Sequence, residues 1–145
     1  MPAAGAGRSG DIFPVPHPPP VAGAGPYREA LARAVEEWKK DPIEDEWLFE
    51  RFRGEQVGCM SPEEAFRAIP ETLRFLLMES DESTETEILQ TLIDLARKSD
   101  TTEVPRELAD NKEQIEKRFL SRGDYARAKL RELFGYYRMG FSQLR

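Results

Sequence analysis

Carboxylates are the residues of this chain whose types and spacing suit chemistry best. Glu44, Asp45 and Glu46 are consecutive, and Asp81, Glu82, Glu85 and Glu87 crowd a stretch with no basic residue between 79 and 87. Grouped carboxylates can hold hard cations, exchange protons, or present a negative face to a basic partner. The calcium-loop spacing with its mid-loop glycine is missing here. No apolar run beside either group argues for a pocket that would shift a carboxyl pKa. A negative patch that captures and holds a partner is the functional reading. The plain alternative is that acidic residues favour helix N-termini. Asp100 and Glu103 form a third set, in a break dense in groups that cap helix ends. The candidate partner-binding residues are therefore Glu44, Asp45, Glu46, Asp81, Glu82, Glu85, Asp100 and Glu103.

Other chemistry is thinly supplied. Cys59, the single cysteine, excludes an internal disulfide framework and a cysteine-based zinc site, and no histidine is placed to activate it. The one histidine, His17, sits in a proline-rich arm that cannot hold catalytic geometry. No glycine loop suited to phosphate is present. No catalytic residue, cofactor or metal ligand is assigned, and the expectation is a protein that is not an enzyme. Basic side chains gather late. Lys117, Arg118, Arg122, Arg127, Lys129, Arg131 and Arg138 face only two acidic residues between 117 and 138, with Tyr125 and Tyr136 among them. Cations interleaved with aromatics can contact phosphates and stack bases. The whole chain, however, carries 27 Asp and Glu against 21 Lys and Arg, a net charge of −6, which argues against general nucleic-acid binding and suits a basic partner.

These residues need elements to position them. A chain of 145 residues, 39% hydrophobic and 33% charged, suits one folded domain. No apolar run reaches the roughly 18 residues of a membrane span, and the start MPAAGAGRSG has no continuous apolar core for a secretory signal. Residues 1–26 hold seven prolines and five glycines and read as a mobile arm with polyproline II character, its VPHPPP a candidate ligand for an aromatic groove. Residues 27–139 read as a single helical domain and 140–145 as a tail.

Within the domain the apolar period is helical throughout. Tyr27, Leu31, Ala34, Val35 and Trp38 share a face. Asp41-Pro42 restarts the chain, and Ile43, Trp47, Leu48 and Phe52 make the apolar side of a second helix that Gly54 and Gly58 end. Ser61-Pro62-Glu63-Glu64 is a capping box opening a third helix, which Pro70 should kink or split at Ile69. Residues 79–87 read as a turn, with Thr84 and Glu87 repeating the capping-box spacing before a fourth helix. Pro105 opens a fifth helix ended by Gly123, and Asp124 caps a sixth with a core stripe of Ala126, Leu130, Leu133, Phe134 and Tyr137. Strand signals are absent. The expected fold is all-α: about six helices as three antiparallel hairpins, 27–53, 61–97 and 105–138, in an irregular bundle or a HEAT-like stack.

The run from Leu92 to Ser99, the break Asp100-Thr101-Thr102-Glu103-Val104-Pro105, Leu108 and the closing Tyr136-Tyr137-Arg138-Met139 carry a resemblance. Over residues 61–139 the chain resembles small all-helical bacterial immunity proteins of polymorphic toxin systems. That resemblance implies a cytoplasmic protein that binds a toxin and neutralises it. A basic toxin domain would fit the acidic balance. The competing readings are a nucleic-acid-associated helical module using the last helix, and a scaffold or adaptor baited by the proline arm.

Overall fold

The computed structural model describes residues 24–40 and 45–140. Among them are seven helices and no strand. In chain order they are α1 (Ala24–Lys40), α2 (Leu48–Phe52), α3 (Pro62–Met78), α4 (Glu82–Lys98), α5 (Arg106–Asp110), α6 (Lys112–Phe119) and α7 (Asp124–Tyr136). The protein is all-α. Residues 1–23, the Asp41-Pro42 start signal and Ile43 lie outside the described residues, while Ala24, Gly25 and Pro26, read as the end of the proline arm, are the first turn of α1.

The helices are joined as an irregular bundle around α4. The α3–α4 hairpin forms the centre, α1 covers α3, and α7 lies along α4. The reason is the width of α4's apolar arc. Ile88, Leu89, Leu92, Ile93, Leu95 and Ala96 are all buried, so several neighbours are needed to cover it. The stripe on α7 answers it with Ala126, Leu130, Leu133 and Phe134. From α1, Tyr27, Leu31, Ala34 and Trp38 close the other side, and the Tyr27 hydroxyl meets Thr72 Oγ1 at 2.7 Å. Burial pushes the Tyr27 phenol well above its ordinary pKa, so it stays a neutral hydrogen-bonding group.

Several local expectations need correction. The capping box is present, with Glu64 N–H donating to Ser61 Oγ and Ser61 N–H to Glu64 Oε1. Pro70, however, does not split the helix: α3 runs unbroken from Pro62 to Met78. One backbone bond is lost there, but the buried side chains of Ala68, Ile69, Thr72 and Leu73 on either side hold the helix together. Helix α4 begins at Glu82 and is capped by Asp81 rather than Thr84, which sits buried in the first turn. The fifth helix is two pieces, α5 and α6, separated at Asn111. Gly123, not Asp124, caps α7. Trp47, expected on the apolar side of the second helix, is exposed, and Phe49 takes the buried place beside Trp38.

Between Gly54 and Gly58 the chain does not loop. Helix α2 continues into a π-wound segment, Arg53–Val57, closed by Gly58 N–H donating to Arg53 O at 3.1 Å. π-turns recur at functional sites because they widen a helix locally. Gly58 is required by this geometry: a Cβ there would lie 2.3 Å from the Gly54 carbonyl oxygen. Gly54 meets nothing within 4 Å. Gly58→Ala is therefore expected to lose about 1–3 kcal/mol. Gly54→Ala is expected to gain up to about 1 kcal/mol from helix propensity. Urea unfolding of the two variants checks the opposite signs.

Candidate functional site

The acidic residues that look alike in the sequence have unlike surroundings. Glu85 is fully buried. Arg118 Nη1 donates to its Oε2 at 2.6 Å, and Arg122 grips both oxygens through Nε at 2.6 Å and Nη2 at 2.9 Å. Arg118 also donates to the carbonyls of Glu79 and Leu77. The end of α6 and the loop after it are thereby locked onto the α3–α4 turn. The expectation of Glu85 on a contact rim is corrected: its charge is spent inside. Glu85 in turn raises the pKa of Arg122 through the hydrogen bond, which holds that guanidinium charged.

The rest of that turn is largely self-engaged. Buried Glu79 takes Lys39 of α1 at 2.9 Å and the Asp81 N–H at 3.0 Å. Asp81 is exposed but accepts from Thr84 N–H and Thr84 Oγ1. Glu82, also exposed, accepts from Gly123 N–H. The Thr84 hydroxyl, and after it the Thr84 N–H, hold the Asp81 carboxyl below its ordinary pKa. A carboxyl pKa that is lower folded than unfolded stabilises the fold fully above the unfolded value of about 3.8, and the benefit fades as pH falls through the folded value. Asp81→Ala is thus expected to cost about 0.5–2 kcal/mol at neutral pH. The cost should shrink below pH ~4, where the unfolded carboxyl takes up its proton first, and vanish only as pH falls through the lower folded value. Thermal melts at pH 7 and pH 3 test the sign.

Asp100 and Glu103 are exposed but stand at the far end of α4, about 25 Å from Asp81 by helix rise. Asp100 adopts φ 55°, a left-handed turn that Asp tolerates, as the chain leaves the helix. Asp100 and Glu103 therefore stand apart from Asp81 and Glu82 and share no patch with them. Glu44 lies outside the described residues.

The basic stripe is mostly engaged within the fold. Arg127 pairs with Asp124, Lys129 donates to Gln90 at 2.5 Å, and Arg97 of α4 reaches Glu132 of α7 at 2.5 Å. Arg118 and Arg122 belong to Glu85. Few of these cations point unencumbered at solvent, which is the reverse of a phosphate-binding face.

The third acidic group has a different character. Asp45 pairs with Arg51, which holds its carboxyl below the usual range. Glu46 and Glu50 are exposed, and among the described residues Glu50 has no ion-pair partner. Between them Trp47 is 60% exposed. It occupies the position before α2, three residues from Glu50 and so on the same side of the turn. Sequence reasoning placed this indole in the core because it shares a helical period with Phe52. The turn at 45–47 instead leaves Trp47 outside the helix, at the position before its first residue, Leu48.

Beyond Glu50 the surface dips into an open groove of about 810 Å³. Its floor is the polar stripe of α4, one wall is α2 with its π-turn, and Tyr125, 67% exposed, stands at the other wall. Arg53 is built into the wall, donating to Glu87 Oε1 at 3.1 Å and to the Glu87 carbonyl, with Asp94 at 3.6 Å. Lys98 donates to the Gly58 carbonyl at 3.0 Å. The lone visible signal for this groove is the pair Gly54 and Gly58, which removes two side chains from one wall.

Cys59 is exposed, and among the described residues no group of three or more metal-ligating side chains comes together. Among the described residues no helix is long and apolar enough to cross a membrane. The described surface offers an exposed indole among carboxylates, beside a polar groove. Comparison with protein-family models, with curated proteins and with solved structures gives no match.

Proposed function

We propose that this chain is a non-enzymatic protein-binding module that neutralises a basic toxin domain by occluding it in the cytoplasm. The observation that supports this reading best is Trp47, exposed at the head of α2 between Glu46 and Glu50. An exposed tryptophan leaves a large apolar surface in water. Tryptophan is also among the residues that most often dominate binding energy at interfaces. Carboxylates around such an anchor attract a positively charged partner, speed its capture and reject acidic ones. Many domains that attack nucleic acid are basic, so an acidic occluding surface is physically apt. The resemblance over residues 61–139 points the same way. The nucleic-acid alternative is weakened by the internal engagement of Arg118, Arg122, Arg127 and Lys129.

Co-expression with the product of the adjacent upstream open reading frame tests the reading. Host survival only in the presence of this protein, with the two copurifying, is the expected result. A neighbour that is toxic and kills equally with or without this chain overturns it, as does a harmless neighbour that does not copurify.

A further inference from the structure

A second, smaller cleft lies where the described chain begins. The first turn of α1, with Pro26 and Tyr27, encloses about 210 Å³ together with Gln56 of the π-turn, Met60, and Arg67 and Ala68 of α3. Tyr27 meets Thr72 and Lys39 meets Glu79, so α1 runs the same way as α3 and starts beside its middle. The chain that enters α1 at Ala24 therefore arrives from the side of α3's opening turns. A further hollow of about 250 Å³, with Pro62 and Phe66 on its wall, adjoins the cleft across Arg67. The two form a track that starts at Pro26 and follows the first turns of α3.

The track offers apolar surface and spare donors. Met60, Ala68 and Phe66 supply the apolar part. Among the described residues, the side chains of Gln56 and Arg67 make no hydrogen bond or ion pair. That combination suits a proline-rich segment. Proline has no N–H, so such a segment keeps its carbonyl acceptors with few donors of its own. Polyproline II segments bind grooves that supply apolar contact in return. The chain carries one immediately before α1: five of the eight residues 14–21 are proline, with Val15 and Val21 among them. Val21 stands three residues before Ala24, at most about 10 Å of chain. In polyproline II form, residues 15–21 span about 19 Å. A segment tethered so closely meets the cleft at an effective concentration in the millimolar range, so weak contacts suffice to hold it.

We infer that this track is the docking site of the chain's own residues 15–21. Val21 fills the cleft beside Met60, Val15 reaches the hollow beside Phe66, and the carbonyls between them accept from Gln56 and Arg67. An arm held in this way is a covering strap on α3, not bait for another protein's aromatic groove. The inference stands apart from the toxin reading, since it concerns contacts within one chain.

Methyl and aromatic NOEs in the full-length chain test it. Val21 methyls should show NOEs to the Met60 methyl, and Val15 methyls to the Phe66 ring. Replacing Pro18, Pro19 and Pro20 together by glycine should abolish both sets while leaving the helical CD signal unchanged. A synthetic peptide of residues 14–21 should then bind the triple-glycine chain, shifting the Gln56 and Met60 amides, at least about tenfold more tightly than it binds the natural chain, whose site is already filled. Arg67→Ala, an exposed substitution that removes no contact among the described residues, should weaken that peptide roughly fivefold. Absence of both NOE sets overturns the docking. Equal binding of the peptide to both chains also overturns it, and would leave the track open to a proline-rich segment of another protein.

Discussion

Replacing Arg118 and Arg122 together by leucine is expected to lower the unfolding free energy by about 3–5 kcal/mol. The argument starts from Glu85, which has no exposed surface and takes three charge-assisted bonds from the two guanidinium groups. Removing both cations leaves a buried carboxylate with nothing to replace water, the costly half of an ion pair. Glu85→Leu should be milder, because each arginine keeps about a fifth of its side chain in solvent and can rehydrate. Combining all three substitutions should recover part of the loss, since apolar replacement of a buried ionic cluster is often close to neutral. Recovery will be incomplete because Arg118 also satisfies the Leu77 and Glu79 carbonyls. Urea denaturation of the series measures this as a coupling free energy. Additive losses, with no recovery in the triple variant, would show that the three groups act independently.

That cluster shows where sequence reading stops. The fold class was legible because apolar periodicity is local: the stripes of α1, α3, α4 and α7 read directly as helical, and the Ser61 capping box is a four-residue signal. Glu85 carries no such signal. Its neighbours make it one acid among several in a polar stretch, while its partners are 33 and 37 residues away. Burial of a charge is a tertiary fact. The start of α4 was misplaced for a related reason. Asp81 and Thr84 both suit a cap, and the choice falls to Asp81 because burying Thr84 and Glu85 requires the helix to begin before them. Pro70 looked like a break because its local cost is real, yet packing on both sides of it outweighs one lost hydrogen bond. The groove was invisible because a π-turn has no sequence code. Gly54 and Gly58 read as loop residues, although Gly58 serves to admit a carbonyl at a distance no Cβ could tolerate. Of the candidate contact residues, Glu46, Asp81, Glu82, Asp100 and Glu103 are exposed and Glu85 is buried, while Trp47, read as part of an apolar side, stands in solvent before α2.

Trp47→Ala should separate binding from stability more cleanly than any other single change. A side chain that is 60% exposed contributes little packing, so the unfolding free energy should move by no more than about 0.5 kcal/mol. Affinity for the copurified partner should fall by about 2 kcal/mol or more, roughly thirtyfold, if the indole is the anchor that the surrounding carboxylates suggest. The loss should appear mainly as faster dissociation. Glu46→Lys and Glu50→Lys should act differently. They lie on the rim, so they should slow association and flatten its salt dependence, with a smaller effect on dissociation. Met78 supplies the control. It is more exposed than Trp47 but belongs to another helix, α3, and Met78→Ala should leave affinity unchanged. Kinetic titrations at two salt concentrations distinguish these outcomes. If Trp47→Ala instead lowers the melting temperature and spares affinity, the indole packs more firmly than its exposure implies, and the recognition face must be sought elsewhere. If the Lys variants and Trp47→Ala all change only association, charge alone governs capture, and the apolar anchor has no place in the mechanism.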